Sequence, residues 1–147
     1  MKPRYMIGLL LVVFSFSQTI SAQTIQEQLM ATWTCDYQAS IDNLDVENKA
    51  TFDAMPTTLK SSIEQSYTDQ KITFGNDGVY TQVLANGNSV TGTWQLVDND
   101  SVIKITNSAG YSISQRIVTL TSTQLILKLE DTGMGKGIIN NLYFTKN

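Results

Sequence analysis

From Lys71 onward the sequence repeats one pattern: a short run in which apolar and polar side chains alternate, then a few turn-forming residues. The runs are Lys71 to Phe74, Val79 to Leu84, Ser89 to Val97, Val102 to Thr106, Tyr111 to Leu120, Gln124 to Glu130 and Ile138 to Lys146. Between them lie Gly75-Asn76-Asp77-Gly78, Asn86-Gly87-Asn88, Asp98-Asn99-Asp100, Asn107 to Gly110, Thr121 to Thr123 and Asp131 to Gly137. A period of two is the mark of a strand with one wet and one dry face. Gly, Asn and Asp tolerate the backbone angles of tight turns. An earlier run, Thr32 to Tyr37, alternates too, with Trp33, Cys35 and Tyr37 on one face. Links this short join antiparallel neighbours, because parallel strands need long crossovers. Eight such strands are enough to close into a barrel, and closure removes the open edges of a sheet. The expected fold is therefore all-β, an eight-stranded antiparallel barrel. Gly92, inside the Ser89 to Val97 run, marks a bend or the close approach of another segment.

Between the first two strands the period changes. Asp42 or Asn43 can cap a helix that turns Val46, Ala50 and Phe52 inward. Pro56 ends it and suits the first turn of a second helix, where its missing N–H is not needed. There Met55, Leu59, Ile63 and Tyr67 recur every four residues, with Lys60 and Glu64 spaced to pair on the opposite side. This predicts a helix-turn-helix insertion between strands 1 and 2. A short helical turn, Ile25 to Met30, leads into the first strand.

The N-terminus is an address. Lys2 and Arg4 precede the apolar run Ile7 to Phe16, and small and polar residues follow as far as Ala22. That is the layout of a secretory signal peptide over residues 1–22, cleaved after Ala22. The apolar run falls short of the roughly 20 residues of a membrane span. The single cysteine, Cys35, lies too far along for lipid attachment at the cleavage point, so no stable membrane anchor is expected. Cleavage leaves one barrel domain over 23–147, exported and periplasmic or secreted. Of the 10 basic residues Lys2 and Arg4 leave with the peptide, so 8 face 13 acidic ones, a net charge of −5. Nucleic acid is not an expected partner for so acidic a chain.

Composition narrows the chemistry further. The chain has no histidine and one cysteine, which removes Ser-His and Cys-His nucleophile pairs, His-ligated zinc and any internal disulfide. Ser101-Val102-Ile103-Lys104 has the spacing of a serine acylase pair, but that chemistry needs a helix. On a strand a spacing of three sends the two side chains to opposite faces. Gly133-Met134-Gly135-Lys136-Gly137 lacks the spacing and the following helix of a phosphate loop, and reads as a hairpin loop. Asp98-Asn99-Asp100 and Glu130-Asp131 offer oxygen ligands, though without the loop spacing that holds calcium. No enzyme activity, metal or cofactor is expected.

The aromatic residues remain. Trp33, Tyr37, Phe74, Tyr80, Trp94, Tyr111 and Tyr143 fall on predicted strands, where some must point into the barrel. Two interiors fit: a solid core, since eight strands leave just enough width for side chains, or walls around one small apolar ligand. In the second case Gln82 and the tyrosine hydroxyls would orient the ligand's polar end.

Four segments carry a family resemblance. They are Ala31-Thr32-Trp33-Thr34, Ile72-Thr73-Phe74 leading through Asp77-Gly78 to Val79-Tyr80, Gly92-Thr93-Trp94 before Asp98-Asn99-Asp100, and Ile117 to Leu120 followed by Leu125-Ile126-Leu127. In this order they resemble the bacterial lipocalin-like domains of small exported proteins, with Ala31 where that family usually has glycine. The resemblance implies an up-and-down barrel with a tryptophan near its closed end, and a small apolar molecule as ligand. The helical insertion is similar to the portal lid of fatty-acid-binding proteins, but the inward Arg-Tyr set that grips a carboxylate there has no counterpart. The expected function is an exported, non-enzymatic barrel that binds a small hydrophobic ligand. The alternative is a protein-interaction module of the cell envelope with a filled barrel.

Overall fold

Alternation sets the faces of each strand, and turn chemistry sets their order. The computed structural model describes residues 23–130 and 137–147, so the expected signal peptide and most of the glycine-rich string lie outside the described residues. Helix α1 (Ile25–Leu29) opens with Thr24, whose side chain accepts from the Glu27 N–H while the Glu27 carboxylate accepts from the Thr24 N–H. This reciprocal cap lets a five-residue helix persist. Strand β1 (Thr32–Cys35) follows, burying Trp33 and Cys35. After the helical insertion come β2 (Lys71–Phe74), β3 (Val79–Val83), β4 (Ser89–Val97), β5 (Val102–Asn107), β6 (Ser112–Leu120), β7 (Gln124–Leu129) and β8 (Asn141–Lys146).

Each strand pairs antiparallel with the next, and β8 returns to β1 in the register Trp33↔Lys146 to Cys35↔Phe144. The barrel is closed, as the sequence predicted. Its turns use the expected residues: Gly78, Gly87 and Gly110 take positive φ, and Asp98, Asn99 and Asp100 do so in succession. Asn and Asp are the non-glycine residues that best tolerate that region. Gly92 meets the close approach anticipated for it, because a Cβ there would collide with the carbonyl oxygen of Thr106 on β5.

The inward rows form two zones. At one end Trp33, Phe74, Trp94, Ile103, Leu125 and Phe144 are packed together with Leu29 of α1 and almost wholly buried. Trp33 Nε1 donates to the Leu29 carbonyl at 3.0 Å, and Trp94 Nε1 to the Gly75 carbonyl at 2.9 Å. Buried indoles need such partners. The Lys146 ammonium stands 5.5 Å from the centre of the Trp33 ring. This end is shut by side chains, α1 and the short turns.

The helical insertion stands at the other end, and here the sequence expectation needs correcting. The first strand stops at Cys35, not Tyr37, because Asp36 accepts from the Ala39 N–H and turns the chain into α2 (Tyr37–Asp42). The expected pair follows as α3 (Val46–Ala54) and α4 (Thr57–Tyr67). Asp45 caps α3 in place of Asp42 or Asn43, which leaves Val46 and Ala50 exposed and buries Phe52. Lys60 does not pair with Glu64. It donates to the Asp53 carbonyl at 2.8 Å and lies over the Phe52 ring. Ile41, Phe52 and Ile139 form a second small core, against which Met55, Ile63 and Tyr67 of the predicted stripe pack, while Leu59 is exposed.

Candidate functional site at the open end of the barrel

The register identifies which side chains face inward at the helical end. Phe74 pairs with Tyr80, and Ile72 with Gln82, so Tyr80 and Gln82 share the inner face of β3. Gln82 pairs in turn with Val90 of β4. Buried Ile105 pairs with Ile113, which puts Ile113 and Gln115 on the inner face of β6. Gln115 pairs with Leu129, two residues after buried Leu127. Apolar residues on inward rows are normally covered. Here Val90 is 41% exposed, Ile113 43% and Leu129 42%. They form an apolar rim on the β4–β6–β7 side of the mouth. The insertion stands beside β8, the barrel neighbour of β7, where α2 packs on β8 and the Ser40 hydroxyl accepts from the Tyr143 N–H.

The rim has a polar counterpart. Gln70 immediately precedes β2 and continues the inward alternation of Ile72 and Phe74. It is only 6% exposed, and its Oε1 has no hydrogen-bond partner among the described residues. Its main chain is fully used: the N–H donates to the Tyr67 carbonyl, and the carbonyl accepts from the Cys35 N–H. Burial raises the phenols of Tyr67 and Tyr80 above their ordinary range, so both stay neutral donors. Burial also pushes the Cys35 thiol up to about 12, with the Asp36 charge adding to it. An uncharged thiol of that kind is a poor nucleophile.

The aromatic residues singled out in the sequence are separated by the fold. Trp33, Phe74 and Trp94 belong to the packed closed end, with the Phe74 and Trp94 rings edge to face at 5.2 Å. Tyr80 sits above them at 5.6 Å from Phe74, and Gln82 reaches the mouth. Tyr37 lies on α2 instead of a strand, beside a polar surface groove of about 340 Å³ that Asp36, Glu64 and Asp69 also line. Tyr111 is 74% exposed in the β5–β6 turn, outside the strand predicted for it. Tyr143 alternates away from inward Leu142 and Phe144. The sequence reading missed Gln70, Ile113, Gln115 and Leu129 as a set. The alternations Ile113-Gln115-Ile117 and Leu125-Leu127-Leu129 were the available signal.

Two further sequence candidates resolve into structure. Glu130 and Asp98, weighed as calcium ligands, both face Arg116, at 2.6 Å and 3.5 Å. That pairing raises the guanidinium further, Glu130 contributing most. Ser101 precedes β5 and donates to the Asp98 carbonyl, whereas Lys104 lies within the strand. Among the described residues no cluster of three His, Cys, Asp or Glu side chains could hold a metal, and no helix is long and apolar enough to cross a membrane.

An eight-stranded up-and-down antiparallel barrel, shut at one end and helix-flanked at the other, defines a lipocalin-like architecture. The chain belongs to the lipocalin-like domain family, which matches residues 29–127. It is also similar to a solved DUF4847 family protein from Bacteroides vulgatus ATCC 8482. The two are 19% identical with a TM-score of 0.47, over 81% of this chain and 94% of that one. No curated protein matches the sequence.

Proposed function

We propose that this chain is an exported, non-enzymatic barrel that binds one small hydrophobic molecule at its mouth. The observation that carries this reading is the exposure of Val90, Ile113 and Leu129 on inward rows of the barrel. Covering such surface releases about 25 cal/mol per Å² before ordering costs are met. The closed end is already filled by Trp33, Phe74, Trp94 and Phe144, so the ligand lies across the mouth and not down the axis. Membership of a family of generally non-enzymatic binding proteins supports the reading. Export rests on the basic start, the apolar run Ile7 to Phe16 and the small residue Ala22. The filled closed end also favours a rival, a protein-interaction module with no small-molecule ligand.

Uptake of a hydrophobic fluorescent probe by the native protein tests the choice. Saturable uptake, weakened severalfold by Ile113→Ser at unchanged melting temperature, is the expected result. Uptake only in partial denaturant would transfer the argument to the interaction module. The mass of the protein recovered from the exported fraction tests cleavage after Ala22.

A further inference from the structure

We infer that the head group accepted at this mouth is uncharged and both donates and accepts hydrogen bonds, a hydroxyl or an amide, and that the side-chain amides of Gln70 and Gln82 hold it. The inference rests on the mouth reading above and adds the chemical class of the ligand.

Two buried side-chain oxygens lack a partner among the described residues, those of Asn141 and Gln70, and only Gln70 lies on an inward row. Its neighbours on the same face, Ile72 and Phe74, are buried and apolar, and opposite it lies buried Cys35. Both of its main-chain groups are already bonded, so the fold places no demand on the side-chain amide. Yet Oε1 is buried with no partner among the described residues. A buried acceptor left alone is unfavourable, and an apolar side chain of similar size would remove the penalty. An amide at this position makes sense if something else completes it.

Gln82 supplies the second arm. It pairs directly with Ile72, which makes Gln70 its diagonal neighbour on the inner face. Such neighbours are about 7–8 Å apart at the backbone, within reach of long side chains. Each amide offers one acceptor oxygen and two donor hydrogens. A hydroxyl or a carboxamide matches that pair in both directions. A carboxylate brings acceptors only and would face the lone pairs of Oε1. An ammonium brings a charge, and the inward positions Gln70, Gln82, Val90, Ile113, Gln115 and Leu129 carry no acidic group to balance it. Amides thus stand on the inner faces beside β2 and on β3, with a third, Gln115, one step below Ile113 on β6, while apolar Val90, Ile113 and Leu129 edge the mouth. An amphiphile lying across the mouth would satisfy both.

The test compares ligands that share a tail and differ in head group. Decanol, decanamide, decanoate and decylamine are titrated at pH 8 against the purified protein carrying a hydrophobic fluorescent probe. Decanol and decanamide should displace the probe at about tenfold lower concentration than the two ions, the scale of one net hydrogen bond. Gln70→Leu should abolish that preference and leave the melting temperature equal or higher. Gln82→Leu, at a half-buried position, makes the same comparison if Gln70→Leu does not fold. Equal displacement by all four, or a preference that survives both substitutions, would overturn the head-group inference. Probe uptake would persist in those cases and the mouth reading would stand. Absence of probe uptake by the native protein would remove both.

Discussion

At the scale of single residues, the close contacts of the barrel wall lead to sharp expectations. A methyl group at position 92 would meet the Thr106 carbonyl oxygen, and the Asn107 Cα at 3.0 Å, both main-chain atoms that cannot swing aside. Gly92→Ala is therefore expected to lower stability by about 1–3 kcal/mol, the usual scale of overpacking, as read by urea denaturation. Trp94→Ala would leave a hole beside Phe74 and remove the indole's hydrogen bond to the Gly75 carbonyl, a loss of about 3–5 kcal/mol. Its effect should appear in the unfolding midpoint before it appears in ligand uptake. Cys35, with its thiol pushed up to about 12, should resist thiol reagents at pH 8 in the native protein and react once denaturant opens the barrel. Rapid native labelling would show that the wall near Cys35 opens. Gly92 and Trp33 were legible in the sequence because their neighbours alternate cleanly. The place of Trp94 at the closed end was not, since alternation gives a face and not a depth.

Among the elements, the helical insertion departs most from its sequence pattern. Trp33, Cys35 and Tyr37 continue an alternation that the capping by Asp36 interrupts, and a local hydrogen bond outweighs the period of two. Asp45 makes a testable joint of its own. Its carboxylate accepts from the Asn48 N–H at 2.8 Å, capping α3, and from the Asn140 side chain at 2.6 Å, tying α3 to the segment before β8. The Asn48 main-chain bond, then the Asn140 bond, hold its pKa below the ordinary carboxylate range. A lowered folded-state value stabilises the protein above the unfolded value of about 3.9 and is lost as the pH falls through the folded one. The Asp45 carboxyl should titrate below that range by NMR, and its protonation should loosen α3 at a pH where the barrel strands are still intact. Asp45→Ala should erase that acid step. A titration midpoint at the ordinary value would show that neither bond persists in solution.

For the molecule as a whole, strand number, direction and closure could be read from the turns, because Gly78, Gly87, Gly110 and Asp98-Asn99-Asp100 sit where the chain must reverse. The mouth could not. Val90, Ile113 and Leu129 become neighbours only after four strands have taken their register, and each alone is an ordinary strand residue. The aromatic set drew attention by size, and Trp33, Phe74 and Trp94 went to the filled end. The closing ladder has a further consequence, in time and not in space. Trp33 finds its partner in Lys146, at the far end of the chain, so the contact that completes the barrel is also the most distant in sequence. Contacts of that separation are slow to form, because a long loop must be ordered before the pairing rewards it. Until Asn141–Lys146 is available the wall lacks its last strand, and β1 and β7 wait with unpaired main-chain groups.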